Sequence, residues 1–382
     1  MAELISGNSV KTIAFYLPQF HCIPENDRAY GKGFTEWTNV KKAKPLFDGH
    51  RQPRVPINEN YYCLLDQQVM EKQSELAKEY GLFGFCYYHY WFGKGKKLLE
   101  KPIEAMLKNP NVDIPFCLCW ANENWSKRWD GGNNELIVEQ TYGDVDSWKQ
   151  HIEYLIHFFK DQRYIRINNK PLLLVYKPEL IPNYRKWVEF VRSQVIKYGF
   201  EGINIAVQYP KYFVNGFDTS IFDYYIGFEP AFTRLEEEKE KRSGFVNKIY
   251  SVVKNTPIKG ALSKIYSSAT AHEKTGPEIR DYDTDWSRIL ARNIDDPKLL
   301  LGGFVDWDNT PRTKTGVLYN GVTPEKFQDY IMQLARLALC RKEKCIFINA
   351  WNEWAEGAYL EPDTVNKMKY LAAVKKASEI FI

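Results

Sequence analysis

The chain has 382 residues, 44% of them hydrophobic and 26% charged, which supplies a large core and excludes wholesale disorder. Its formal net charge of +4 (52 Lys and Arg against 48 Asp and Glu) is spread too evenly to point to nucleic acid or an anionic membrane surface. No apolar run nears the roughly 20 residues a bilayer demands. The N-terminus carries no apolar signal core, and seven cysteines at irregular spacing read as reduced thiols; a cytoplasmic location is the expectation.

Short apolar, β-branched or aromatic runs recur at 12–17, 82–88, 114–120, 172–176, 203–207, 224–228, 303–306 and 345–350. Near-continuous hydrophobicity of this kind suits parallel strands covered on both faces. Helical patterns lie between them. Residues 67–80 carry Val69, Met70, Leu76 and Ala77 ahead of Gly81, a C-cap. Residues 146–159 place Trp148, Ile152, Leu155, Ile156 and Phe159 at three-and-four spacing. Residues 184–198 and 324–339 behave alike, the second opening on Thr323 as N-cap and Pro324 at N1. Strand and helix alternating eight times predicts an α/β protein, a (β/α)₈ TIM barrel in one domain spanning 1–382, with a doubly wound sheet as the alternative. Two stretches exceed the minimal barrel: a long loop after strand one (18–62) and an insertion after strand six (231–297), a possible lid. The charge run at 234–242 reads as a solvated helix face.

In a parallel barrel the active site lies at the C-terminal ends of the strands. The segments just past the predicted strands contain His21, then His89 and Trp91, then Trp120, Asn122, Glu123 and Trp125, then Asp306, Trp307, Asn309 and Arg312, and finally Trp351, Asn352, Glu353, Trp354 and Glu356. Glu36 and Trp37 sit in the loop after strand one. With aromatics at 15%, including 11 Trp and 25 Tyr, this concentration suggests a carbohydrate cleft, in which rings stack on sugar faces and amides and carboxylates bond the hydroxyls. An aromatic-rich core is the plainer reading of the same composition.

Glycosidic chemistry needs two carboxyl groups, one to donate a proton and one to remove a proton or attack. Glu353 and Glu356 form the best pair, Glu123 is the main rival, and Glu36 is a fourth candidate. Asp306-Trp307-Asp308 is a DxD of the type that holds a divalent cation in some sugar-nucleotide transferases, though such triplets are common by chance. His21, His50 and His89 have no spacing that links them as metal ligands. Cys117 and Cys119 read as small core residues, and no dinucleotide or phosphate loop is present. No cofactor or metal is therefore expected. A glycan-binding barrel without catalysis is a further alternative.

The segments Phe15 to His21 (FYLPQFH), 33–40 (GFTEWTNV), 117–125 (CLCWANENW), 307–312 (WDNTPR) and 349–357 (NAWNEWAEG) resemble the WbsX family, glycosyltransferases of polysaccharide biosynthesis loci. The barrel order and the last motif are also similar to glycoside hydrolase family 99, the endo-α-mannosidases and endo-α-mannanases. That second resemblance implies a retaining reaction through a 1,2-anhydro sugar, with Glu353 as general base and Glu356 as general acid. Asn352, Trp354 and Gly357 match the same motif. The implied substrates are α-mannoside- or α-rhamnoside-like oligosaccharides or polysaccharides, including lipid-linked glycans, acted on in surface-polysaccharide metabolism by a glycosyltransferase or a retaining hydrolase.

Overall fold

The computed structural model describes residues 2–4, 10–127, 135–208, 217–241, 276–292 and 296–380. The apolar runs form the staves of a parallel barrel: Lys11–Tyr16, Gly84–Trp91, Phe116–Trp120, Lys170–Val175, Asn204–Gln208, Tyr224–Ile226, the paired segments Leu299–Leu300 and Gly302–Phe304, and Cys345–Asn349. The first stave pairs with the last (Lys11 opposite Cys345), which excludes the doubly wound alternative. Closure runs through the divided seventh stave. Leu299–Leu300 pairs with the sixth stave and Gly302–Phe304 with the last. Between them, the Leu301 carbonyl accepts from the Phe347 amide at 2.9 Å. Gly302 has a steric reason: a Cβ there would lie 1.7 Å from the Gly227 carbonyl oxygen.

The second stave runs to Trp91, three residues beyond the expected end. Alternation along it sends Tyr88 and Tyr90 inward and His89 and Trp91 outward. Phe15 sits on the axis, with its ring 5.7 Å from Tyr88, 5.0 Å from Phe228 and 5.6 Å from Phe347. Cys86, Cys117 and Cys119 are buried, and all seven cysteines are free thiols. Outside, several of the helices start at side-chain caps that satisfy first-turn amides. Asp66 accepts from Gln68 N at 3.1 Å, Asp144 from Ser147 N at 3.1 Å and Thr323 from Lys326 N at 3.2 Å. Among the described residues no helix is long and apolar enough to cross a membrane.

Both long stretches carry structure of their own. The segment after the first stave contains the helices Pro24–Tyr30 and Glu36–Lys42. It packs over one side of the barrel mouth and buries Glu36, Trp37, His50, Gln52 and Arg54. After the sixth stave, residues 231–241 are helical. Glu278–Asp281 then pairs in parallel with Val317–Asn320, and Tyr282–Ala291 forms a barrel helix whose Trp286 stacks 5.6 Å from Phe304. Residues 242–275 and 293–295, where the expected lid would have its body, lie outside the described residues. The charge run is solvated only at its far end. Its glutamates meet arginines of the next elements, Glu237 with Arg280 on the strand Glu278–Asp281 at 2.6 Å and Glu236 with Arg292 just past the helix Tyr282–Ala291 at 2.9 Å.

Candidate active site at the barrel mouth

Past the last stave the chain makes a small hairpin. Asn352–Glu353 pairs antiparallel with Ala358–Tyr359 around the single turn Trp354–Glu356. Gly357 closes the turn at φ 65°, where a side chain would be strained, and a Cβ would lie 2.9 Å from the Asp308 amide. That amide donates to the Glu356 carbonyl at 2.6 Å. The Asn352 side-chain amide imitates a strand partner. Its oxygen accepts from Leu17 N at 2.7 Å, and its nitrogen donates to Leu17 O at 3.0 Å. Trp354 is wedged between Trp37 at 5.4 Å and Tyr359 at 3.8 Å, and its indole N–H donates to Glu361 at 2.7 Å. Clamped on both sides, the hairpin holds Glu353 and Glu356 at the mouth.

These two glutamates share one guanidinium with a third. Arg312 donates to Glu36 at 2.7 Å, to Glu353 at 3.3 Å and, closely, to Glu356. Three carboxyls around one cation cannot all ionise cheaply in so dry a place. Burial pushes the Glu353 carboxyl well above the usual range; the charge of Glu356 adds to this and Arg312 opposes it. Glu356 is also raised, by burial first and against the pull of Arg312. The two titrate as a unit.

The acids form one wall of a cavity of about 410 Å³, within the range of small-ligand sites. Trp125, Trp307, Glu123, Asn309 and Arg312 line it as well. So do Tyr88, Tyr90, Tyr176 and Phe228, which were not among the sequence candidates. Period-two alternation from Phe15 and Cys86 is the signal that finds Tyr88 and Tyr90 once the second stave is given its full length. Glu123 is held by Lys177. Trp125 donates its indole N–H to Asn26 at 3.0 Å.

The other candidates lie elsewhere. His89 faces the outer helices, its Nε2 2.9 Å from that of His151, and Trp91 stacks on His151 at 4.8 Å. Burial lowers His89 to about 3 and His21 to about 4, so both are neutral near pH 7. His21 Nδ1 lies 3.1 Å from the Pro18 carbonyl. Trp37 and Trp120 donate to the carbonyls of Tyr62 (2.8 Å) and Trp91 (3.0 Å), and Trp351 packs on Phe85 at 5.0 Å. Asn122 accepts from Lys177 N at 2.7 Å and donates to its carbonyl at 2.6 Å. The DxD carboxylates are engaged by protein. Asp306 pairs with Arg54 at 2.6 Å, while Asp308 takes His50 at 2.9 Å and Gln52 at 2.7 Å. Burial works against ionisation of Asp308, but Arg54, Thr310, Gln52 and His50 together hold its carboxyl below the usual range. A guanidinium on the carboxylates takes the place a cation would need. Among the described residues no cluster of three His, Cys, Asp or Glu has metal-binding geometry.

The barrel is that of known glycosidase structures. The endo-α-mannosidase of glycoside hydrolase family 99 from Bacteroides thetaiotaomicron matches with a TM-score of 0.51 at 13% identity, over 96% of each chain. A glycoside hydrolase-like protein matches with a TM-score of 0.53 at 11% identity, over 98% of this chain and 95% of the other. The WbsX glycosyltransferase profile covers residues 12–374, and this chain belongs to that family. The proteins called WxcX in two strains of Xanthomonas campestris pv. campestris are 36% identical over 96% of this chain. The chain spans about half the length of these curated relatives, 49% of each.

Proposed function

We propose that this chain is a carbohydrate-active enzyme that makes or cleaves a glycosidic bond in the mouth cavity, with Glu353 and Glu356 as its acid–base pair. One observation carries the reading: two glutamates with raised pKa, on one rigid hairpin, face a cavity lined by Tyr88, Tyr90, Trp125 and Trp307. Membership of the WbsX family supports it.

The proposed chemistry balances as follows. Glu353 takes the proton of the substrate's 2-hydroxyl. O2 attacks C1, the bond from C1 to the leaving oxygen breaks, and Glu356 protonates that oxygen. An acceptor hydroxyl, of water or of a sugar, then opens the 1,2-anhydro ring, giving its proton to Glu356 while Glu353 returns one to O2. Attack from the opposite face requires O2 trans to the leaving group, as in α-mannosides and α-rhamnosides. We place the reaction in surface-polysaccharide metabolism in the cytoplasm; the seven free thiols support that compartment.

Arg312 lies nearer Glu356 than Glu353, so its charge opposes a proton shared by the free pair resting on Glu356. A 2-hydroxyl donating to Glu353 favours its ionised form and moves that proton to Glu356. Aryl α-mannosides with activated leaving groups test the roles. Glu356→Gln keeps fast release of the most acidic phenol, which needs no protonation, as a burst ahead of a ring-opening step that has lost its base, whereas Glu353→Gln loses that release on every substrate. The reverse pattern exchanges the roles, and near-normal rates in both variants on unactivated substrates remove the pair from the mechanism.

A further inference from the structure

A second cavity, of about 490 Å³, opens beside the first and shares Arg312 and Thr313 with it. Its walls carry Lys42, Lys44 and Lys314, together with Thr310, whose hydroxyl donates to Asp308 at 2.6 Å, and with Thr313 and Thr315, whose hydroxyls lie 3.2 Å apart. The three lysines are exposed, and among the described residues none has a carboxylate within 4 Å. They come from two segments that the barrel brings together: the end of the helix Glu36–Lys42 with the turn behind it, and the loop after the seventh stave. Three lysines without a carboxylate partner along one groove raise the local anion concentration there. Hydroxyls between them suit a polyol.

We infer that this groove is a subsite for an anionic sugar unit of the glycan whose neighbouring unit lies between Glu353 and Glu356. The inference rests on the proposed function for that neighbouring unit. It names the substrate class as an acidic glycan, its charge supplied by a carboxylate at C6 or by a phosphate. The lysines bind the charge, and the hydroxyl pair of Thr313 and Thr315 takes the ring hydroxyls. Arg312, already engaged by three glutamates, marks the boundary between the groove and the reacting bond.

Affinity electrophoresis of the full chain in gels containing matched polysaccharides tests this. A mannan, a rhamnan and a glucan are each used neutral, oxidised at C6 where the sugar has a primary hydroxyl there, and phosphorylated. The expected result is that at least one acidic form retards the chain about tenfold more strongly, in apparent Kd, than its neutral parent at low salt, and that the gap closes as salt screens it. Which acidic form does so tells carboxylate from phosphate. Lys42→Ala/Lys44→Ala/Lys314→Ala closes the gap to within about twofold. The charge-matched control Lys186→Ala/Lys197→Ala/Lys376→Ala, on the outer helices, leaves it intact. Equal retardation by neutral and acidic forms, no retardation by any acidic form, or the same loss in the control overturns the subsite. Glu353→Gln/Glu356→Gln keeps the gap while losing turnover, so failure of the glycosidic chemistry and failure of the groove are read separately.

Discussion

At the scale of single residues, the cluster around Arg312 is poised between charge states. Its side chain is 14% exposed and meets three glutamates. Arg312→Gln leaves those carboxyls with no counter-charge, a loss of about 3 kcal/mol near neutral pH. The sign follows from linkage. Without the cation the native carboxyls hold protons more tightly than the unfolded ones, so stability falls as pH rises through and above the carboxylate range. Thermal melts should show the variant recovering toward wild type at pH 5 and losing ground at pH 8; an equal deficit at both contradicts the charge account. Glu361 makes a second case. Burial lifts it to about 7, against the donors Trp354, Tyr62 and Gln73. The native state therefore holds a proton that the unfolded chain releases near pH 4.5, and stability falls between about pH 4.5 and 7, by about 3 kcal/mol. Urea unfolding of Glu361→Gln at pH 5 and pH 8 should show that much less pH dependence than wild type, and unchanged dependence removes Glu361 as its source.

At the scale of elements, the hairpin that carries Glu353 and Glu356 depends on Gly357. Gly357→Ala puts a side chain at φ 65° and a Cβ 2.9 Å from the Asp308 amide. About 1 kcal/mol of strain is the local cost. Turnover should fall at least tenfold as the hydrogen bond from the Asp308 amide to the Glu356 carbonyl loosens, while the barrel melts within a few degrees of wild type; full activity in this variant means the hairpin tolerates displacement. Staves and helices were legible because burial on both faces leaves continuous apolar runs, and capping residues mark helix starts. Where a stave ends was not legible, and three residues at the second one decide which way its rings point. Tyr88 and Tyr90 enter the cavity, whereas His89 and Trp91 meet His151. Tryptophan at strand ends was legible too, but its direction was not. An indole packs as readily on a protein ring as on a sugar, and its N–H is satisfied by a carbonyl such as Tyr62 O as well as by a ligand.

At the scale of the whole molecule, barrel closure brings together groups distant in the chain. Glu36, Arg312, Glu353 and Glu356 come from the first and the last thirds, and no spacing in the sequence joins Glu36 or Lys42 to the final hairpin. What the sequence does carry is the acidic pair itself, because both members lie in one turn of chain after one stave. On the proposed function, a glycosidic bond sits between these two carboxyls. A crystal structure of Glu353→Gln with a bound α-mannosyl or α-rhamnosyl oligosaccharide tests it most directly. The expected result is a sugar ring in the cavity of Tyr88, Tyr90, Trp125 and Trp307, with its 2-hydroxyl on residue 353 and its glycosidic oxygen within hydrogen-bond reach of Glu356. A glycan bound elsewhere, or lying in the cavity with Glu356 turned from the glycosidic oxygen, contradicts it.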